Sequence, residues 1–237
     1  MKENFVKGLK AGLPIFLGYL PVAFTFGFLA VSGGLPVWLA VFISMSNLTS
    51  AGQFAGTNLI LFGSGFLEIG LTTLVINLRY TLMSLSLSQK IPNSTPTWKR
   101  LLFSFGITDE TFVVASMQKG KISAGFMAGL ILLPFIGWST GTLLGGCVSQ
   151  FLPLALQNAM GIALYGMFIA LIVPAAKESK KVLLVVIMAV TLSCVIKYVP
   201  ALHFISSGFR IIIATILAAG VGAVIFPEEP EVSNNES

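Results

Sequence analysis

Seven stretches of this chain are apolar for about the depth of a bilayer, at about 13–31, 36–63, 66–88, 122–145, 155–174, 181–199 and 205–226. A spanning helix needs about 20 such residues. Composition agrees: 55% of residues are hydrophobic and only 10% charged, against about 25% charged in a soluble domain. The expected fold class is therefore all-α, a polytopic membrane helical bundle of about six to eight spans. Residues 1–226 read as a single transmembrane domain. Residues 227–237, with Glu228, Glu229, Glu231 and Glu236, read as an acidic disordered tail. The first run exceeds the roughly 7–15 apolar residues of a signal peptide, so it is expected to remain as a helix.

The run 36–63 is unusual. Its centre, from Ser44 through Asn58, is too polar and too small-sided for a lipid-facing helix. Unwound backbone survives at bilayer depth only where it is buried in protein or lines a cavity. Two half-helices with a break near Ser50–Gln53 satisfy this; a continuous helix packed through Gly52-xxx-Gly56 is the alternative. A shorter polar run occupies about 101–118. If both runs are re-entrant, the clusters Lys2/Lys7/Lys10, Lys90/Lys99/Arg100, Lys119/Lys121 and Lys177/Lys180/Lys181 all fall on one side, as the positive-inside rule asks. Both termini are then cytoplasmic. The net charge of +5 thus speaks for topology and anionic headgroups, not nucleic acid. Gly12–Leu61 and Gly129–Pro174 also echo one another, which raises an internal inverted repeat of the transporter kind.

Arg79 lies near the middle of the run Phe66–Leu87, beside Asn77 and Tyr80. A guanidinium at that depth is costly and faces protein or a wet cavity, which makes it a functional-site candidate. Asp109 and Glu110 are the natural partners: one acid pairs with Arg79, and the other is left for a cation or a proton. Thr108 can cap a short helix that begins with these acids. Glu68, at the start of its run, is expected to snorkel to the interface.

Other features reduce to structure. Gly137-Trp138-Ser139-Thr140-Gly141 fits the nucleophile-elbow spacing, but an elbow needs a strand-to-helix turn and this segment is mid-helix. Gly137, Gly141 and Gly145 instead form a stripe for close helix packing. Cys147 and Cys194 read as small buried hydrophobes. The chain has no H-E-x-x-H, P-loop or Cys/His cluster. No metal, cofactor, ATP coupling or enzymatic activity is expected.

Three motifs carry a resemblance. Ser50-Ala51-Gly52-Gln53-Phe54, Asn77-Leu78-Arg79-Tyr80 and Thr108-Asp109-Glu110-Thr111-Phe112, in this order and spacing, resemble the large subunit of the two-component branched-chain amino acid exporters, the AzlC family. The likeness extends to about Phe226 and includes the Phe168…Pro174 helix ending. It implies a secondary transporter subunit in the cytoplasmic membrane. Such a subunit exports valine, leucine, isoleucine or methionine on the membrane potential or proton gradient. The resemblance also implies a small AzlD-like membrane partner of about a hundred residues. The family often has His where this chain has Tyr80, so a titrating role does not transfer to that position.

Residues and resemblance meet on one site. Arg79 takes a substrate carboxylate as a bidentate fork, with Asn77 beside it and a half-helix N-terminus at Gly52 and Gln53 sharing the charge. Asp109 or Glu110 takes the ammonium or couples protons. Phe54, Phe112 and Phe168 wall an apolar pocket. Two other readings stay open: a transporter or channel for another small zwitterion or anion, and a non-transporting scaffold in which Arg79 and the acids are only a buried pin.

Overall fold

The computed structural model describes residues 2–149, 169, 172–174 and 176–226. Among them the regular elements are helices. They are α1 (Lys2–Ser32), α2 (Val37–Ser46), α3 (Ala51–Leu61), α4 (Phe66–Lys90), α5 (Thr97–Phe105), α6 (Asp109–Ser116), α7 (Ala124–Val148), α8 (Lys180–Tyr198) and α9 (Ser207–Ile225), with a short 3-10 turn at Pro200–Leu202. Of these, α1, α4, α7, α8 and α9 are long and apolar enough to cross a membrane. Most of the expected run 155–174 and the tail 227–237 lie outside the described residues.

The chain divides into two compact units, Met1–Met167 and Phe168–Ser237. In the second, α8 and α9 pack together, with Gly222 closely faced by Val185.

The first unit is built on α1 and α7. A side chain at Gly8 or Gly27 would strike the Phe126 or Thr142 carbonyl of α7, and one at Gly129 or Gly145 the Phe5 or Phe24 carbonyl of α1. The expected stripe Gly137, Gly141 and Gly145 is therefore half of a two-sided seam in which backbone meets backbone. Contact positions rise together along the two helices, from Gly8 with Leu130 to Phe24 with Gly145, so α1 and α7 run parallel. The repeat expected from Gly12–Leu61 and Gly129–Pro174 is thus not inverted in its first helices, and most of its second half lies outside the described residues.

Both polar runs fold back. Helices α2 and α3 have 10 and 11 residues, about 15 Å each at 1.5 Å per residue, or half a hydrocarbon core of about 30 Å. Val37 of α2 lies by Gly146 near the end of α7, and Leu61 of α3 lies against Gly33 just past the end of α1. This hairpin therefore enters and leaves at the end where α1 and α7 finish. Helices α5 and α6 do the reverse. The Ile122 amide donates to the Lys90 carbonyl at 2.8 Å, and Lys90 Nζ donates to the Ser116 carbonyl at 2.5 Å. Their hairpin enters from the end where α1 and α7 begin. Lys2/Lys7/Lys10, Lys90/Lys99/Arg100 and Lys119/Lys121 gather at that end, as the re-entrant scheme requires. The succession α1–hairpin–α4 thus recurs, upside down, as α4–hairpin–α7.

Two expectations change at the surface. Cys147 and Cys194 are unpaired and exposed, not buried; they sit on the outer faces of α7 and α8, where a small thiol is as compatible with lipid as with a core. Glu68 is buried in the first turn of α4 instead of reaching for the interface.

Candidate functional site

The two hairpins bring their breaks to the middle of the unit. In the first, Ser50 has φ 47° and ψ −97°, a sparsely populated conformation that costs about 1–3 kcal/mol and persists only where the surroundings hold it. It reverses the chain so that α3 starts at mid-depth. No side chain caps that start. The second break is Gly106–Thr108, and here the expected cap is present. Thr108 accepts from the Thr111 amide, and Thr111 Oγ1 accepts from the Thr108 amide, forming a capping box at the start of α6. Asp109 and Glu110 occupy the first turn of α6, where the helix dipole favours acids.

Arg79 of α4 meets Asp109 across this gap, Nη1 to Oδ2 at 2.9 Å. Arg79 Nη2 also donates to Tyr80 Oη at 3.2 Å, and the Tyr80 hydroxyl donates to the Thr49 carbonyl at 3.2 Å. One helix thereby ties the two breaks together. Side chains of Arg79 and Asp109 are 42% and 40% exposed. A charged pair so open at mid-helix requires a wet cavity or a protein cover.

Glu110 points elsewhere. Its Oε2 lies 2.5 Å from the Tyr19 hydroxyl of α1, and that hydroxyl lies 2.7 Å from Thr108 Oγ1. A phenol has one proton, and the shorter bond to a carboxylate takes it. The two adjacent acids therefore have different partners.

Asn77 packs so closely on Gly52 that any side chain there would strike its amide. The buried Asn77 Oδ1 has no hydrogen-bond partner. Gln53 is close by but already engaged. It is 1% exposed, donates to Ser44 Oγ at 2.6 Å and accepts from Trp138 Nε1 at 3.0 Å. Ser44 and Thr142 share a further hydrogen bond at 2.7 Å. This network fastens both halves of the first hairpin to α7. Phe54 is buried with its ring edge-on to Phe26, centroids 5.2 Å apart, so it belongs to the core beside the hairpin. Phe112 is partly buried against the main core, one turn on from Asp109. Phe168 lies outside the described residues.

Tyr19 and Thr142 were not singled out by sequence, and Ser44, Thr49 and Trp138 entered only as members of longer segments with no role of their own. A phenol in the middle of the first run was the one available signal among them. An apolar groove of about 500 Å³ lined by Phe5, Trp98 and Leu102 lies where α1 and α7 begin. Neither Arg79 nor Asp109 lines it.

Comparison with known proteins gives a family. The family model described as AzlC protein matches residues 14–152. "Inner membrane protein YgaZ" of Escherichia coli (strain K12) is 31% identical over 175 residues, covering 70% of this chain and 71% of that protein. An "Uncharacterized membrane protein" of Archaeoglobus fulgidus is 32% identical over 175 residues, covering 73% and 76%. "Branched-chain amino acid transport protein AzlC" of Bacillus subtilis (strain 168) is 23% identical over 172 residues, covering 71% and 66%. No solved structure matches.

Proposed function

This chain belongs to the AzlC protein family, and we propose that it is the transport subunit of a secondary exporter of branched-chain aliphatic amino acids, with Arg79 and Asp109 as the two poles of a zwitterion site. The observation that carries this reading is the Arg79–Asp109 pair, half-open where two half-helices from opposite ends of the unit meet. An amino acid brings a carboxylate and an ammonium. Entering between Arg79 and Asp109, it replaces one ion pair with two, carboxylate to guanidinium and ammonium to Asp109. The planar fork of Arg79 suits a carboxylate bidentately. The N–H groups at the start of α3, which no side chain caps, add a second anion-favouring surface beside Arg79.

Phe112 supplies apolar wall one turn from Asp109. Such a wall separates substrates by about 1–3 kcal/mol per methylene, so valine, leucine, isoleucine and methionine compete for one site. Hairpins entering from the two faces give each face its own closure over the site, which is the geometry alternating access needs. The Lys/Arg clusters gathered where α1 begins support, by the positive-inside rule, a cytoplasmic position for that end and the N-terminus. Export then runs toward the end where α1 finishes, on the proton gradient or membrane potential. A small AzlD-like membrane subunit completes the transporter, and its cover over the exposed pair is consistent with the cost of leaving charges toward lipid.

The test is counterflow of labelled amino acids in liposomes with Arg79→Lys. Lysine keeps the charge and loses the fork. The reading expects a folded protein with counterflow almost lost; near-normal flux at matched protein content refutes carboxylate binding by Arg79.

A further inference from the structure

Asp109 and Glu110 are adjacent in sequence and opposite in circumstance. Asp109 faces a cation, Arg79 Nη1 at 2.9 Å. Glu110 faces a phenol, Tyr19 Oη at 2.5 Å, and among the described residues no cation lies within ion-pair distance of it. We propose that the geometry divides the work of the two acids: Asp109 is the substrate ammonium site, and Glu110 with Tyr19 is a separate proton-binding site whose state is passed to the α6 break through Thr108. This rests on the transport reading for its purpose, but not for its test.

Three features carry it. Glu110 is exposed at the tip of a half-helix, where water can bring it a proton, and acids at membrane depth without a cation partner serve proton relays. Tyr19 is buried, held edge-on by Trp138 with ring centroids 5.0 Å apart, so its hydroxyl is fixed in place. Finally, that hydroxyl touches both Glu110 and Thr108, the cap residue of α6.

The step balances without a redox partner. A proton from water adds to Glu110, which changes from acceptor to donor. The Tyr19 hydroxyl then turns its own proton from Glu110 to Thr108 Oγ1 and accepts from the new acid. Thr108 Oγ1 has two lone pairs and accepts from Tyr19 while keeping the Thr111 amide; its own proton, given to Tyr19 Oη while Glu110 is ionised, turns to Thr111 Oγ1, 3.3 Å away. Loading Glu110 therefore reverses the hydrogen-bond chain from Glu110 through Tyr19 and Thr108 to the α6 cap, while Asp109 and Arg79 are untouched. The titratable groups that face Glu110 are Tyr19 from α1, Tyr80 from α4 and Asp109 on its own helix, Arg79 being paired with Asp109; the half of α7 packed nearby, Trp138 included, brings no Asp, Glu, Lys, Arg or His.

The experiment labels the full-length protein in liposomes, without substrate, with a lipophilic carbodiimide that reacts with protonated carboxyls, and maps products by peptide mass spectrometry across a pH series. The proposal expects Glu110 to be labelled, labelling to be lost as pH rises, and Asp109 to be spared. Tyr19→Phe, an isosteric change, should alter Glu110 labelling and leave Asp109 as it was. Labelling of Asp109 in preference to Glu110, absence of Glu110 labelling at every pH, or protection of Glu110 by Na⁺ at fixed pH each overturns the proposal; the last would make it a sodium site. In counterflow, Glu110→Gln and Tyr19→Phe should keep exchange and lose its response to a pH gradient, whereas Asp109→Asn should lose exchange itself. If wild-type protein exchanges no amino acid but Glu110 labels as expected, the transport reading falls and the proton site stands.

Discussion

Replacing Gln53 by leucine tests what holds the first hairpin at mid-depth. The leucine fills the same space, and Ser44 keeps its bond to Thr142. Trp138 does not recover: its Nε1–H loses its acceptor while only 1% of the residue is exposed. A buried donor left unpaired costs about 1–3 kcal/mol. Hydrogen bonds between helices in membranes average about 0.6 kcal/mol and reach about 1.7. Gln53→Leu should therefore lower stability by about 1–3 kcal/mol. Trp138→Phe removes the orphaned donor, so the double variant should recover about 0.6–1.7 kcal/mol of that loss in a double-mutant cycle. Equilibrium unfolding in mixed detergent micelles measures all four corners. A single variant within about 0.5 kcal/mol of wild type, with no coupling between the two positions, would refute the claim that this network anchors the hairpin.

Further outcomes follow from the two breaks. Thr108→Ala should cost about 1 kcal/mol through loss of the α6 cap, read in the same unfolding assay; an unchanged midpoint contradicts the cap. Glu110→Gln should flatten the pH profile of transport while Asp109→Asn abolishes transport, and a wild-type profile in Glu110→Gln would take proton coupling away from Glu110. With Cys147 and Cys194 first replaced by serine, Ala51→Cys should react with a small aqueous thiol reagent and be protected by substrate, because Ala51 opens α3 at the break. Gln53→Cys, whose position is fully buried, should stay unreactive; the opposite pattern would mean the first hairpin is seated the other way round.

The spans α1, α4, α7, α8 and α9 were legible from hydrophobic length; the run 36–63 is as long, and only its small polar centre marked it as a hairpin instead. Arg79 and its pairing with an acid were legible because a charge at that depth has few ways to be satisfied. Thr108 was legible as a cap because capping is local. What sequence hid was mostly long-range. Tyr19 meets Glu110 across 91 positions and Gln53 meets Trp138 across 85; Tyr19 showed only as a phenol in an apolar run, and nothing local named its partner. The break near Ser50 was readable from small polar residues, but the fold-back of α2 and α3 depends on Leu61 returning to Gly33. Gln53 and Phe54 carried the right motif for a site and were drawn into the core beside it, because a hairpin tip must be fastened before it can bind anything. Glu68 shows the limit of position-based reasoning: being near a helix end permits snorkelling, but the direction of the side chain decides it.

The central claim is that Arg79 and Asp109 bind substrate and do not merely pin α4 to α6. Counterflow by the charge-swapped protein, Arg79→Asp with Asp109→Arg, tests it most directly. The swap preserves a pair of opposite charges between the two helices. It also moves the guanidinium from α4 to the first turn of α6, where the helix dipole opposes it, and sets a carboxylate on α4 in place of the fork that would bind substrate. The account predicts a protein that folds and inserts but exchanges no branched-chain amino acid. Counterflow at the wild-type rate would show the pair to be a structural pin and would contradict the account.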